Sequence, residues 1–186
     1  HYQTSPDDLR MLLDSTAIRR YALVADGVTI AAAVVVVEGG LDPSLVASVS
    51  KGLRRPQGNL VVQQLIASYG QCQAGAMCGH RVMRIAVHHD RQNSGIGKYF
   101  LQQIEQTALA EEADYLSSSF GADAPLLRFW QQAGYQLVKL GFSRDAASGE
   151  HGDLLDIIAA VCGHSAFSDT LAEARCFLSL PTEPGP

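Results

Sequence analysis

The chain has 186 residues, of which 47% are hydrophobic and 18% charged, and its formal net charge is -5 at pH 7. This length suits one domain with a single substantial core, and the composition is that of a globular rather than a disordered chain. No apolar run in the sequence is long enough to cross a bilayer. The negative net charge argues against a domain that binds nucleic acid unaided, because neutralising phosphates requires a basic face.

Any contact with nucleic acid should therefore be local. Each arginine taken alone is more simply explained as a solvated surface residue. The candidates for such a contact are Arg54, Arg55, Arg81, Arg84 and Arg91.

The chain begins with residues 1–4, His-Tyr-Gln-Thr, which resemble neither a signal sequence nor a transit peptide, and we expect a fragment of a longer protein. The spacings of the four cysteines match neither a redox CxxC motif nor a paired zinc pattern, so a reducing cytoplasm is the expected location. Cys72, Cys78 and His80 lie close in sequence, but their segment is short and rich in glycine and offers no fourth ligand. We predict a plain loop there and no bound metal.

The first third of the chain predicts a β-hairpin and three helices. Asp26-Gly27 separates two runs suited to strands, residues 21–25 and 28–37, and is a strong hairpin signal. The helices are predicted from Ser5, over residues 42–53 and over residues 59–69, each beginning at a capping residue.

The middle of the chain predicts a strand, a loop and an amphipathic helix. Side chains of a strand alternate between its two faces. In residues 81–88 this puts Met83, Ile85 and Val87 on one face, with Arg84, Ala86 and His88 on the other. The loop covers residues 90–94, and the helix begins near Gly95. Its buried stripe is predicted to be Phe100, Leu101, Ile104 and Ala108.

The last part predicts a strand over residues 115–120, a short helix over 123–132, and two strands over 135–140 and 154–161. Helices and strands alternate in the middle while hairpins dominate the ends, so the class is α/β or α+β with a mixed sheet flanked by helices. We expect residues 1–186 to form one domain, with 163–186 a C-terminal helix and tail.

The segment 92–97, Gln-Asn-Ser-Gly-Ile-Gly, lies between a strand and a helix, where glycines and free N–H groups favour a pyrophosphate. A Walker A loop would need Gly at position 92 and Ser or Thr at 99, where Gln92 and Tyr99 stand. A dinucleotide fingerprint would need a small residue in place of Phe100. The remaining pattern, Q-x-x-G-x-G after a strand, resembles the acetyl-CoA loop of the GNAT superfamily.

A closer resemblance rests on six further segments: 54–60 (RRPQGNL), 84–88 (RIAVH), 114–117 (DYLS), 120–121 (FG), 127–131 (LRFWQ) and 148–151 (SGEH). Together with the loop they resemble the acetyltransferase domain of the tRNA(Met) cytidine acetyltransferases, over residues 1 to about 161.

The resemblance implies a GNAT fold, whose splayed central strands hold acetyl-CoA, and acetylation of N4 of the wobble cytidine in elongator tRNA(Met). It also implies a larger parent, in which an ATP-binding, helicase-like module precedes this domain and a tRNA-binding tail follows it. ATP would then act only through that module, and the tRNA partner would be bound mainly by the rest of the parent protein.

The residues and the resemblance together predict a set of site residues. His88 is our first choice as general base, although a structural histidine at the strand end is the alternative. Arg54 and Arg55 are expected to contact RNA. Lys98 is either a phosphate ligand or a solvated lysine of the first helical turn. The expected acetyl-CoA ligands are Ile85, Ala86, Val87, Gln92, Asn93, Ser94, Gly95, Ile96, Gly97, Lys98 and Gln132.

Three positions depart from the resemblance. Trp130 stands where many GNAT enzymes use a tyrosine to protonate CoA, Pro125 replaces a glutamate and Gln132 an arginine. Ser118, Ser119 and Tyr135 remain as possible proton donors. Glu150 and His151 either face the acceptor or lie in a solvated turn.

Two other functions stay open. A GNAT enzyme for protein or small-molecule amines is one, against which the segment 54–60 argues. A non-catalytic acyl-CoA-binding module is the other, suggested by the three departures.

Overall fold

The computed structural model describes residues 14–121, 124–144 and 153–162. Two short 3₁₀ turns, Cys72–Ala76 and His89–Arg91, accompany the main elements. The main elements in chain order are β1 (Ile18–Ala25), β2 (Val28–Gly39), α1 (Pro43–Ser50), α2 (Leu60–Tyr69), β3 (Cys78–Val87), α3 (Ile96–Ala110), β4 (Tyr115–Gly121), α4 (Ala124–Gln132), β5 (Gln136–Arg144) and β6 (Asp153–Cys162).

The six strands form one sheet in the order β1-β2-β3-β4-β6-β5. Only β3 and β4 pair in parallel, and the other neighbours are antiparallel. The predicted mixed sheet flanked by helices is therefore confirmed. The helix predicted from Ser5, the turn with Glu150 and His151, and the tail 163–186 lie outside the described residues.

The β1–β2 hairpin turns at Asp26-Gly27, as predicted. Both residues have positive φ, 51° at Asp26 and 77° at Gly27, which is the backbone of a type I′ turn. This turn matches the twist of the flanking strands, so the dipeptide sets the register that pairs Ala25 with Val28.

Helices α1 and α2 follow β2 as predicted, except at the end of α1. Asp42 caps α1 by accepting a hydrogen bond from the Ser44 N–H at 2.8 Å. Hydrogen bonding from the Ser44 side chain, and secondarily from this N–H, lowers the pKa of the Asp42 carboxyl. Helix α1 stops at Ser50 rather than at Leu53, because Gly52 adopts a left-handed φ of 70° and its N–H bonds back to Val49.

Strand β3 contains a β-bulge that interrupts the predicted alternation. Val34 pairs with Arg84 and the next residue, Val35, pairs with Val82, so Met83 is the extra residue. Val82 rather than Met83 consequently joins the buried cluster that Ile85 and Val87 contact. The prediction that Met83 shares a face with Ile85 and Val87 is wrong, because the extra residue of the bulge interrupts the regular alternation of side chains between the two faces.

Two hydrophobic clusters lie on opposite faces of the sheet. One face packs on α3 and α4, and its residues from α3 are the four that were predicted, Phe100, Leu101, Ile104 and Ala108. The other face packs on α1 and α2 through Val49, Val61, Val62, Leu65 and Ile66. In the part of the chain that the structure describes, no helix has the length and apolar character needed to span a membrane.

Candidate active site

A gap opens between β3 and β4 in the middle of the sheet. Residues 79–82 of β3 pair with residues 115–118 of β4, and the parallel pairing ends there. Beyond that point β3 stays paired with β2 as far as Val87, while β4 stays paired with β6 as far as Gly121. The two strands therefore diverge, which is the splay that the resemblance implies.

The backbone of β3 presents two N–H groups to this gap. His88 donates its N–H to the carbonyl of Ile30 in β2 at 2.8 Å. Because successive residues of a strand direct their N–H groups to opposite edges, Val87 and Ile85 point theirs away from β2. Ala86 lies opposite Ala32 and directs its N–H towards β2, so of the three residues predicted to present an N–H group to the gap only Ile85 and Val87 do so.

The loop after β3 is tied to the mouth of the gap. The side-chain amide of Gln92 donates to the carbonyl of Val87 at 3.1 Å. Asn93 and Gly95 have φ of 56° and 83°, which turn the chain sharply into α3. Residues 91–95 are all exposed, so this turn is open to a ligand.

The N-terminus of α3 completes the loop. The first intrahelical bond runs from the Tyr99 N–H to the Gly95 carbonyl at 3.0 Å, so the preceding N–H groups have no acceptor within the helix. Among the described residues, no side chain caps this end. An uncapped helix N-terminus carries partial positive charge and binds anions.

The two glycines of the loop have different surroundings. A Cβ added to Gly95 would meet no heavy atom within 4 Å. A Cβ added to Gly97 would lie 3.0 Å from Cε2 of Phe129 in α4 and 3.5 Å from Cγ2 of Val87. Gly95 therefore leaves space on the ligand side, while Gly97 lets the first turn of α3 approach α4 and β3 closely.

His88 lies at the end of β3, next to the gap. Its side chain is 44% exposed, and Nδ1 lies 3.8 Å from Oδ2 of Asp90. Its ring centroid is 4.4 Å from that of His89. The alternation puts His88 on the same face as Arg84 and Ala86, which is the face opposite α3.

The three possible proton donors are placed differently. Ser118 is buried, and its hydroxyl donates to the carbonyl of Val82 at 3.1 Å, at the last paired position before the gap. Tyr135 is buried, and this burial, with a smaller contribution from Glu105, raises the pKa of its hydroxyl well above its usual range. Ser119 is half-buried and, by alternation from Ser118, lies on the face that carries His88. Ser119 is consequently the best placed of the three.

Trp130 lies in an aromatic cluster. Its side chain is buried and stacks on Phe120 at 5.7 Å between ring centroids, with edge contacts to Phe129 at 5.4 Å and Tyr135 at 4.7 Å. The residue that replaces the usual tyrosine thus packs in the core. The other two departures, Pro125 and Gln132, are exposed at the two ends of α4.

Arg54 and Arg55 are exposed on the loop that precedes α2. Two contacts hold this loop against the end of β2. The N–H of Gly39 donates to Oδ1 of Asn59 at 2.9 Å, and the N–H of Val61 donates to Oε2 of Glu38 at 2.9 Å.

Glu38 is a residue that sequence reasoning missed. Its carboxylate is buried, bonds to Nε of Arg81, and supplies the N-terminal cap of α2 that Asn59 was expected to provide. The only signal in the sequence is an acidic residue at the end of an apolar strand. Arg81 is consequently part of this buried pair rather than a surface contact for nucleic acid.

The plain loop predicted at Cys72, Cys78 and His80 is wrong, because Cys72 begins a 3₁₀ turn while Cys78 and His80 belong to β3. Within the described ranges, the one group of three potential ligands is His88, His89 and Asp90, whose ligand atoms lie within 4.8 Å of one another and which are all exposed.

The chain is similar in fold to several solved acetyltransferase structures. The chain is similar to Drosophila melanogaster polyamine N-acetyltransferase, with a TM-score of 0.59 and 13% identity over 86% of this chain and 82% of that one. It is also similar to a GNAT family acetyltransferase from Elizabethkingia anophelis with acetyl-CoA bound, with a TM-score of 0.54 and 16% identity over 85% and 83% of the two chains. The sheet with its gap between β3 and β4 therefore has the fold of the GNAT acetyltransferases. The model of the family GNAT acetyltransferase 2 matches residues 1–108 and 101–157, and the chain belongs to this family.

Relatives of higher identity share one name. The chain is 44% identical over 149 residues to the tRNA(Met) cytidine acetyltransferase TmcA of Citrobacter koseri, covering 80% of this chain and 22% of that protein. It is 39% identical over 160 residues to the TmcA of Actinobacillus pleuropneumoniae, covering 83% of this chain and 26% of that protein. The chain thus spans about a quarter of the length of these relatives.

Proposed function

We propose that this chain is an acetyltransferase domain that moves an acetyl group from acetyl-CoA to N4 of a cytidine in RNA, with the wobble cytidine of elongator tRNA(Met) as acceptor. One observation carries the proposal. The gap between β3 and β4, lined by the N–H groups of Ile85 and Val87, leads directly to the uncapped N-terminus of α3.

The gap between β3 and β4 suits the thioester end of acetyl-CoA, and the loop at the N-terminus of α3 suits its pyrophosphate. The N–H groups of Ile85 and Val87 would hold the pantetheine and polarise the thioester carbonyl, as donors aimed at a developing oxyanion do. The backbone of residues 92–98 would bind the pyrophosphate, because that loop is exposed and lies at the positive end of the helix dipole. Lys98 and Gln132 are exposed at the first turn of α3 and the last residue of α4, and they remain proposed ligands.

The transfer itself needs two proton movements. The cytidine amine attacks the thioester carbon, the new C–N bond forms and the C–S bond breaks. His88 would take the proton from the amine nitrogen, since its exposed side chain lies beside the gap on the face of the sheet opposite α3. The leaving thiolate would take a proton from water, with the hydroxyl of Ser119 as a relay at the gap, because Tyr135 is buried against Trp130.

The acceptor is proposed from the names of the relatives and from the basic loop. Arg54 and Arg55 are exposed on a loop that Glu38 and Asn59 fix to the sheet, so they would meet RNA phosphates without much loss of conformational freedom. The relatives are about four times longer than the stretch they share with this chain. We include in the proposal that an ATP-binding module and most of the tRNA contacts belong to the remainder of such a protein.

A calorimetric titration with acetyl-CoA tests the cofactor site. Gly95→Glu should abolish binding, because the side chain fills the space left for the pyrophosphate and adds a like charge. Gly95→Ala is the matched control, because it shares the strain of a φ of 83° but adds only one methyl group in open space. We expect Gly95→Ala to keep most of the affinity. Unchanged affinity in Gly95→Glu would refute the loop assignment.

The acceptor is tested separately by nucleoside mass spectrometry. We expect N4-acetylcytidine in tRNA(Met) incubated with acetyl-CoA, ATP and a parent protein that carries this domain, and loss of that product with His88→Ala. Acetylation of a polyamine or a peptide in place of tRNA would favour a GNAT enzyme for other amines. Binding of acetyl-CoA without transfer to any acceptor would leave a non-catalytic binding module.

A further inference from the structure

Two histidines and an aspartate come together at the end of β3, beside the gap. The side chains of His88, His89 and Asp90 are all exposed, and each offers one ligand atom within 4.8 Å of the other two. Nε2 of His89 lies 3.0 Å from Oδ1 of Asp90, and Nδ1 of His88 lies 3.8 Å from Oδ2 of the same carboxylate. The proposed transfer uses His88 but gives no role to His89 or Asp90.

The separations between these groups are close to those that a small metal ion imposes on its ligands. Zinc binds imidazole nitrogen and carboxylate oxygen at roughly 2.0 to 2.2 Å, so two ligands of a tetrahedral site lie roughly 3.3 to 3.6 Å apart. The distances of 3.0 and 3.8 Å from Asp90 to the two imidazoles lie on either side of this range. Small rotations of exposed side chains would therefore bring all three ligands to one ion.

The backbone that carries the three ligands is held on both sides. His88 donates its N–H to the carbonyl of Ile30 at 2.8 Å and so stays bound to β2. The N–H of Arg91 donates to the carbonyl of His88 at 2.8 Å, which closes the 3₁₀ turn His89–Arg91. Ligands that are placed before the ion arrives lose less conformational freedom on binding, so this turn favours a metal complex.

The donor atoms select a class of metal ion. Two imidazoles and one carboxylate suit Zn²⁺ and the neighbouring ions Ni²⁺ and Cu²⁺, whereas Mg²⁺ and Ca²⁺ prefer sites built from oxygen ligands. Three protein ligands leave the fourth position of a tetrahedral zinc ion open to water.

We propose that His88, His89 and Asp90 bind Zn²⁺ and that the bound ion inhibits acetyl transfer by occupying His88. The inhibition rests on the proposed function, in which His88 accepts the proton of the attacking amine. A ring nitrogen bound to zinc has no lone pair left for that proton, and the other ring nitrogen then carries a hydrogen. Zinc on either nitrogen of His88 would therefore remove the general base, and loss of the ion would restore it.

An NMR titration of the 186-residue chain with zinc chloride tests the site directly. Zinc should shift the imidazole signals of His88 and His89 together, and Mg²⁺ at the same concentrations should leave both in place. The zinc concentration that half-saturates the shift of His88 measures the affinity of this site alone, whatever other groups of the chain bind zinc.

Two variants remove one ligand each and keep His88. His89→Gln and Asp90→Asn should raise the half-saturating zinc concentration at least about tenfold, because losing even an outer partner of a metal ligand costs about 10- to 100-fold in affinity. Asp26→Asn is the matched control. It removes one exposed carboxylate at the hairpin turn, where asparagine accepts the φ of 51°, and should leave the zinc affinity unchanged.

Inhibition is tested in a parent protein that carries this domain, by nucleoside mass spectrometry of tRNA(Met). Zinc should lower the yield of N4-acetylcytidine over the concentration range in which it shifts the signals of His88. His89→Gln and Asp90→Asn should acetylate without zinc as the unaltered protein does, and they should need at least about tenfold more zinc for the same inhibition.

The outcomes separate this inference from the proposed function. Unmoved signals of His88 and His89, or equal half-saturating concentrations in both variants and the unaltered chain, would refute the metal site. Equal inhibition by zinc of both variants and the unaltered protein would refute control through His88. Absence of acetylation before any zinc is added would refute the proposed function instead, and the NMR titration would still decide whether the three residues bind the ion.

Discussion

The side-chain amide of Gln92 donates to the main-chain carbonyl of Val87 at 3.1 Å and so links the loop of residues 92–98 to the last residue of β3. The carbonyl and the N–H of a strand residue point to the same edge, so this bond lies at the mouth of the gap that Val87 lines. One side chain therefore fixes the relative position of the proposed thioester and pyrophosphate sites.

Gln92→Ala should weaken acetyl-CoA binding by roughly fivefold to tenfold, because an average hydrogen bond contributes about 1 kcal/mol and the loop loses its link to β3. Calorimetry measures the change. Gln106→Ala, an exposed glutamine further along α3, is the matched control and should bind as the unaltered chain does. Equal affinities for all three proteins would show that the Gln92 bond does not position the loop.

Gly97→Leu should destabilise the fold by about 1 to 3 kcal/mol, because even a Cβ at this position would lie 3.0 Å from the ring of Phe129. Urea denaturation gives the free energy of unfolding. In a double-mutant cycle, Phe129→Ala should restore part of the loss by removing that ring. Strictly additive effects of the two substitutions would mean that Gly97 serves no packing role against α4.

Features set by neighbouring residues were predictable from the sequence. The turn at Asp26-Gly27 needs two positive φ values that this dipeptide accepts readily, and Phe100 and Ile104 belong to a stripe that helical periodicity alone defines. The Gly-rich loop was predictable for the same reason, since its pattern lies between a strand and a helix.

Features set by pairing between distant segments were not predictable. The bulge at Met83 depends on the register of β3 against β2, and this register decides that Ala86 directs its N–H away from the gap. The role of Glu38 depends on Val61, which lies 23 positions later in the chain. A single sequence carries no register, so these details required the structure.

Glu38→Gln should lower the free energy of unfolding by about 3 kcal/mol, because it leaves the charge of Arg81 mostly buried without its partner. The measurement is urea denaturation at neutral pH. The loop with Arg54 and Arg55 should also exchange its amide hydrogens faster, since the cap of α2 is weakened.

A surface ion pair provides the comparison for Glu38. Glu111 lies 3.1 Å from Arg19, and both side chains are more than a third exposed, so Glu111→Gln should cost less than about 1 kcal/mol. A loss in Glu38→Gln no greater than that in Glu111→Gln would contradict the assignment of the Glu38 pair as a structural anchor.

His80 should make the stability of this domain depend on pH. Its side chain is only 1% exposed, and burial lowers the pKa of its imidazole below the ordinary value of 6.5, with a partly compensating effect of Glu111 at 4.0 Å and a further lowering by Arg19. The unfolded chain therefore binds a proton at His80 at a higher pH than the folded chain does. The contribution of His80 is fully present above about pH 6.5 and is lost as the pH falls towards the folded-state pKa, with a slope of at most ~1.4 kcal/mol per pH unit.

Urea denaturation of the unaltered chain between pH 5 and 7.5, compared with His80→Gln, measures this contribution. The variant has no titrating group at position 80, so its free energy of unfolding should fall less steeply below pH 6.5. His89→Gln is the control, because the side chain of His89 is 79% exposed, and it should keep the slope of the unaltered chain. Identical slopes in His80→Gln and the unaltered chain would mean that His80 is protonated as easily inside the fold as outside it. The buried site of its ring, near Arg19 and Glu111, would then accommodate the charge of a protonated imidazole.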